Sequence, residues 1–216
     1  MVPLTILCYG DSNTYGYIAD SGGRFPRDVR WPGVLQRALG SEYVVIEEGL
    51  PGRTTNWDDP FDVGRNGRRY LTPCLASHAP IDLVIIMLGT NDLKRYFRVT
   101  ANEIALGVGA LADIVVGSGC GPDGKPPSVL IVAPPPLGEA TKRSALWGFG
   151  DARAESEKLA DHYATLAEAG NLAMFDAGAV AAVDPVDGVH LDAGSHRTLG
   201  TALVDEVKRT LGQSLP

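Results

Sequence analysis

The chain reads as an α/β protein. It is expected to form a three-layer α/β/α sandwich around a parallel, doubly wound sheet of five strands, in one domain covering residues 1–216. Three observations lead there. Short apolar runs alternate along the chain with stretches of helical period. The runs are continuously apolar, as strands buried on both faces are. Strict strand–helix alternation favours parallel strands joined by right-handed crossovers. No internal repeat and no low-complexity stretch marks a second domain.

The elements follow in order. Leu4–Tyr9 is the first strand, and Trp31–Leu39 is a helix that Gly40 ends. Tyr43–Glu47 is the second strand. The segment 49–67 is rich in Gly, Pro, Asn and Asp and reads as a loop. Arg69–His78 is expected to be helical only as a short piece, because Pro73 lacks an amide hydrogen. Ile81–Leu88 is the most apolar strand. Thr100 and Glu103 form a capping box opening a helix to Val116. Ser128–Ala133 is the fourth strand, stopped by Pro134, Pro135 and Pro136. Arg153–Ala169 reads as one amphipathic helix closed by Gly170. Leu172–Phe175 is the fifth strand, and Asp192 caps a last helix reaching about Leu211.

Bulk properties narrow the function classes. Apolar residues make up 44% and charged residues 21%, ordinary for a globular protein, and the net charge is −7. A nucleic-acid partner is excluded on that balance, since phosphate binding needs a basic face. Three basic clusters, Arg24/Arg27/Arg30, Arg65/Arg68/Arg69 and Lys94/Arg95/Arg98, read as solvated loop charges. The 3 cysteines, Cys8, Cys74 and Cys120, form no C-x-x-C pair and fit a reducing cytoplasm. Leu4–Tyr9 has no basic residue before it, so it reads as a buried strand rather than a leader. No apolar run approaches transmembrane length, so no membrane partner is expected.

In such sheets ligands bind outside the carboxyl ends of the strands. The loops after Tyr9, Glu47, Leu88, Ala133 and Phe175 are therefore the ones that matter. Gly10-Asp11-Ser12 follows the first strand directly. A serine there needs a base. Of the 4 histidines, His162 lies mid-helix, His196 lies in the last helix, and His78 should sit at the opposite edge of the sheet. His190 remains, three residues after Asp187, whose carboxylate can hold one imidazole tautomer. Acyl transfer also needs donors for the developing oxyanion. The Ser12 N–H, the Gly52 N–H and the Asn91 side-chain amide lie on three rim loops. Tyr15, Tyr17, Trp57, Leu93, Phe97, Pro135 and Trp147 are rim-loop candidates for the substrate walls, and 134–150 for an entrance or subunit contact. Gly107-x-Gly109-x-x-Ala112 falls inside a helix, so it is not a dinucleotide fingerprint. No P-loop and no metal-ligand spacing is present, so neither cofactor nor metal is expected.

These blocks resemble the SGNH (GDSL-type) hydrolases, named for their Ser, Gly, Asn and His. The matching pieces are Gly10–Thr14, Gly49–Thr55 around Gly52, Gly89–Asp92, and Asp187–His190, in the family's order. Glu47–Leu50, Arg53–Asn56, Asp82–Asp92 and Leu71–Ala76 are similar to its bacterial arylesterase/acyltransferase branch. That branch differs in having alanine where Gly52 stands and tryptophans where Tyr15 and Tyr17 stand. The resemblance implies a flavodoxin-like sandwich and hydrolysis of short-chain aryl and alkyl esters, acetates above all. It also implies acyl transfer to alcohols or peroxide, and a homo-oligomer as large as an octamer. On the same fold, a carbohydrate acetylesterase, a thioesterase and a lysophospholipase are the rival enzymes. A non-catalytic binding module is the rival of another class.

Overall fold

A computed structural model describes residues 2–213. Five parallel strands form one sheet in the order β2-β1-β3-β4-β5. They are β1 (Leu4–Gly10), β2 (Tyr43–Gly49), β3 (Leu83–Met87), β4 (Ser128–Ala133) and β5 (Ala173–Asp176). The helices are α1 (Ser12–Tyr15), α2 (Trp31–Leu39), α3 (Gly67–His78), α4 (Ala101–Val116), α5 (Lys142–Leu146), α6 (Arg153–Ser156), α7 (Leu159–Gly170) and α8 (Ala193–Thr210). Among the described residues no helix is long and apolar enough to cross a membrane.

Successive side chains of a strand point to opposite faces, and the two cores follow that period. Leu7, Tyr9, Val84, Ile86, Val129 and Ile131 pack under α3, α4 and α7. Ile6, Cys8, Leu83, Ile85, Leu130 and Val132 pack under α2 and α8. Two helix layers thus explain why the central strand β3 is apolar and buried throughout, while edge strand β2 carries Glu47 and Glu48. The chain order reverses between β1 and β3, so the loops leaving these neighbours diverge and open a crevice at their carboxyl ends.

Two elements differ from expectation. α3 runs its full length through Pro73. Leu71, Cys74 and Leu75 are fully buried on its inner face. Burial of apolar side chains at roughly 1.5–3 kcal/mol each outweighs the lost backbone bond. The single helix expected over 153–169 is split into α6 and α7. Ser156, at the break, is drawn inward: its hydroxyl accepts the Leu137 N–H at 2.9 Å and donates to the Arg153 carbonyl at 2.6 Å. The capping box is present, with the Thr100 N–H donating to Glu103 at 2.7 Å.

α2 and α8 meet over His196, which is fully buried and whose Nδ1 accepts the Trp31 N–H at 3.3 Å. Burial pushes its pKa down to about 4, helped by Arg30 and His190, while Asp192 opposes. The unfolded chain therefore binds a proton near pH 6.5 that the folded chain refuses until about pH 4. Stability from this residue is complete above pH 6.5 and is lost as pH falls toward 4, by about 3 kcal/mol. Asp11 and Asp92, whose folded pKa values are raised, tilt the profile the other way over part of this range. The test is therefore a difference. Urea midpoints of wild type and His196→Asn, measured from pH 7 to 4, should converge as pH falls. Parallel profiles would remove His196 from this role.

Candidate active site

Each predicted part sits on a strand end for a local reason. β1 ends at Gly10, paired with Gly49 at the end of β2. A Cβ on Gly49 would lie 2.2 Å from the Tyr15 nitrogen and 2.6 Å from the Thr14 carbonyl carbon. Only glycine lets α1 lie on the end of β2, and that close approach sets Ser12 at the rim. Asp11 caps α1, accepting the Asn13 N–H at 2.9 Å.

The last loop comes to meet it. His190 Nε2 is 2.9 Å from Ser12 Oγ, and His190 Nδ1 is 2.6 Å from Asp187 Oδ2. All three side chains are buried. The other Asp187 oxygen accepts the N–H groups of Val189 at 2.8 Å and His190 at 3.0 Å. Burial opposes ionisation of Asp187. The hydrogen bond and charge of His190, with those two N–H groups, outweigh it and hold the carboxyl below its ordinary pKa. An ionised carboxylate only accepts, so Nδ1 carries a hydrogen, and in the neutral ring that leaves Nε2 to accept from the serine hydroxyl. Tyr17 packs on the imidazole with ring centroids 4.3 Å apart, and Trp147 meets it edge-on at 5.7 Å.

The candidate oxyanion donors converge on the same place. Ser12, Gly52, Asn91 and His190 line one cavity of about 740 Å³. Gly52 has φ +82°, a left-handed backbone that glycine adopts without strain. The Asn91 amide nitrogen lies 3.2 Å from the Arg53 carbonyl and 3.4 Å from Asp11 Oδ2. The Asp11 contact is the longer and weaker of the two, so it is the one a developing oxyanion would displace.

The residues that hold this arrangement escaped sequence reasoning. Asn13 ties the serine turn to the histidine loop, donating to the Val189 carbonyl at 3.1 Å and accepting the Leu191 N–H at 2.9 Å. Asp92 accepts the Thr55 N–H at 3.0 Å and binds the loop after β3 to the loop after β2. Burial pushes the Asp92 carboxyl up to about 7 against the pull of the Thr55 hydroxyl and N–H. Burial likewise lifts Asp11 to about 6, against the pull of the Asn13 N–H, His190 and Arg53. Buried Arg53 donates to the Gly10 carbonyl at 2.9 Å, with its guanidinium 4.1 Å from the Tyr9 ring centre. Asn13 and Asp92 stood beside the predicted Ser12 and Asn91, but their partners are distant in sequence.

Of the predicted wall residues, Tyr17 and Trp147 line the cavity, and Tyr15, Trp57, Leu93, Phe97 and Pro135 do not. Arg24 covers the Tyr15 ring at 4.1 Å. The Trp57 carbonyl accepts the Thr54 hydroxyl at 2.6 Å. Leu93 turns into the core, Phe97 packs at a tilt on Tyr96 with ring centroids 4.7 Å apart, and Pro135 is buried beside Gly178. The 145–149 stretch of the expected entrance loop does border the cavity.

The basic clusters are not simply solvated. Arg24, Arg27 and Arg30 converge on Glu47 at 3.8, 3.1 and 2.8 Å. Arg65, Lys94 and Arg95 line the cavity. His78, expected at the far edge of the sheet, reaches Glu48 near the end of β2 at 2.9 Å. With Cys74 these two bring potential metal-ligand atoms within 4.8 Å of one another, the one such group among the described residues. Burial raises the Cys74 thiol to about 12, with Glu48 adding to the rise, so the thiol is protonated at neutral pH, and the bond within the group is the one between His78 and Glu48.

A parallel α/β sheet with a hydrogen-bonded Ser-His-Asp relay at its switch point defines the class: this is a serine hydrolase of the carboxylic ester kind. More narrowly, the chain belongs to the GDSL-like lipase/acylhydrolase family, whose pattern it matches over residues 8–198. No curated protein sequence matches it. Among solved structures it is similar to the native M. smegmatis aryl esterase, with 46% identity over 96% of this chain and 99% of that one and a TM-score of 0.91. A carbohydrate acetylesterase from Sinorhizobium meliloti shows 43% identity over 95% of this chain and 99% of that one, with a TM-score of 0.90. A member of the lipolytic G-D-S-L family from Veillonella parvula, at 14% identity over 95% of this chain and 99% of that one, shares the fold with a TM-score of 0.67.

Proposed function

We propose that the protein hydrolyses short-chain aryl and alkyl carboxylic esters, acetates above all, through an acyl-enzyme on Ser12, and passes the acyl group to alcohols or peroxide as a side reaction. One observation carries the reading: the relay of 2.9 and 2.6 Å from Ser12 through His190 to Asp187 opens into a cavity. In this mechanism His190 Nε2 takes the Ser12 proton as Oγ attacks the ester carbonyl. The Ser12 and Gly52 N–H groups and the Asn91 amide hold the oxyanion. Asp187 keeps the ring oriented and steadies its cation. The alcohol leaves with the proton from His190. Water or another alcohol then attacks the acyl-enzyme, giving its proton to the same nitrogen, and the acyl–Oγ bond breaks as His190 returns that proton to Ser12. No cofactor enters these steps.

The aryl esterase relative supports aryl esters, and the S. meliloti relative keeps deacetylation of a sugar as the second reading. Phe61, Val63 and Leu146, which are 80%, 94% and 86% exposed, are the apolar surface we assign to subunit contact in a homo-oligomer. The free cysteines fit a reducing, cytoplasmic setting. A panel of nitrophenyl esters of rising chain length and an acetylated sugar, assayed with and without added alcohol, tests the proposal. Light scattering on the same fraction reads the assembly. Acetate should be the best acyl group, with ester exchange on adding alcohol. Absence of turnover across the panel would overturn the esterase reading, and a monomer mass its assembly part.

A further inference from the structure

The cavity has a charged end beyond the reacting groups. Asp59, Asp62, Arg65, Lys94 and Arg95 line it. Two pairings cancel most of that charge. Lys94 Nζ lies 3.3 Å from Asp59 Oδ2, which also accepts the Tyr96 hydroxyl at 2.8 Å. Burial opposes ionisation of Asp59, but the Phe61 N–H, the Tyr96 hydroxyl and Lys94 outweigh it and hold the carboxyl below its ordinary pKa. Lys94 is thereby committed. Arg65 gives Nε to Asp62 at 2.8 Å, and no acceptor among the described residues meets its two terminal nitrogens. Arg95 has no carboxylate at ion-pair distance among the described residues, and only its backbone N–H is bonded, to the Gly148 carbonyl at 2.9 Å.

The cavity is thus left positive in a chain whose net charge is −7. Its cations are also near the chemistry. A Cβ on Gly52 would lie 3.3 Å from Arg65 Cδ and Nε, so the Arg65 stem rests on the glycine assigned to the oxyanion hole. Trp147 and Phe149 supply apolar wall beside these charges. A guanidinium offers a fork of donors that matches a carboxylate.

We infer that the site selects esters whose non-reacting end carries a carboxylate, with Arg95 as its principal partner, Arg65 adding to the attraction, and the aromatic walls holding the body between. The inference rests on the esterase reading and names the substrate class for it.

The test compares 4-acetoxybenzoate with its methyl ester, two acetates that differ by one charge. Each kcat/KM is divided by the ester's own hydroxide-catalysed rate, which removes the difference in leaving group. In wild type the corrected ratio should favour the anion. Arg95→Gln should lower that ratio about fivefold. The double change with Arg65→Gln should lower it further, and high salt should lower the wild-type ratio. Arg95 is exposed, so the substitution leaves the core untouched. A wild-type ratio that does not favour the anion, or one that Arg95→Gln leaves in place, overturns the inference while the esterase reading stands. Turnover of neither ester overturns both.

Discussion

Ser12→Ala is expected to lower kcat/KM for 4-nitrophenyl acetate by about 10⁴-fold, some 5 kcal/mol of transition-state stabilisation. The loss is large because the side chain takes part in bond making. Without Oγ no acyl-enzyme forms, and residual turnover comes only from water attack aided by the oxyanion donors. The fold should be little affected. The Ser12 hydroxyl has one partner, the ring nitrogen of His190, and that nitrogen faces a cavity open to water. The bonds that set the turn belong to Asp11, Asn13 and Gly49. A thermal melt should therefore show a stability change under about 1 kcal/mol. Steady-state kinetics on protein with an unchanged melt is the measurement. A variant that keeps a tenth of the rate would take the nucleophile's role from Ser12.

The second large effect is expected from Asp187→Asn, which exchanges one oxygen for a nitrogen in a buried place. Oδ1 must still accept two backbone N–H groups, so the amide oxygen takes that position and the amide nitrogen turns to His190. A donor then faces Nδ1, and the ring shifts its hydrogen to Nε2, the nitrogen 2.9 Å from Ser12 Oγ. The base becomes a donor toward the hydroxyl it should deprotonate. We expect kcat to fall by about 10³- to 10⁴-fold. KM should change little, since Asp187 lies outside the cavity lining. Imidazole proton resonances in the two proteins would report the tautomer directly. A kcat within tenfold of wild type would mean that Asp187 does not orient the ring.

Both predictions concern residues readable before any coordinates. The reason is local: Ser12 ends a strand on a glycine turn, and His190 and Asp187 share one short loop. Legibility failed where a side chain had a choice of directions. Leu93 and Trp147 are both apolar residues in rim loops, yet Leu93 turns into the core and Trp147 meets the imidazole. It failed too for clamps such as Asn13 to Val189, whose partners lie 176 positions apart. Pro73 shows a local rule overridden, because three fully buried neighbours hold α3 through it.

What the amino-acid order alone determined was the period of the chain: five apolar strands, the helices between them, and four chemical parts on four strand-end loops. These depend on residue type and near spacing, which a linear pattern carries. Only the tertiary structure decided the relay distances, the aromatic faces against His190 and the charge of the cavity. Lys94 and Arg95 look alike as neighbours in sequence, but Asp59 neutralises one and leaves the other free. That distinction depends on which carboxylate lies within a few ångströms, and electrostatic interaction follows distance in space rather than position along the chain.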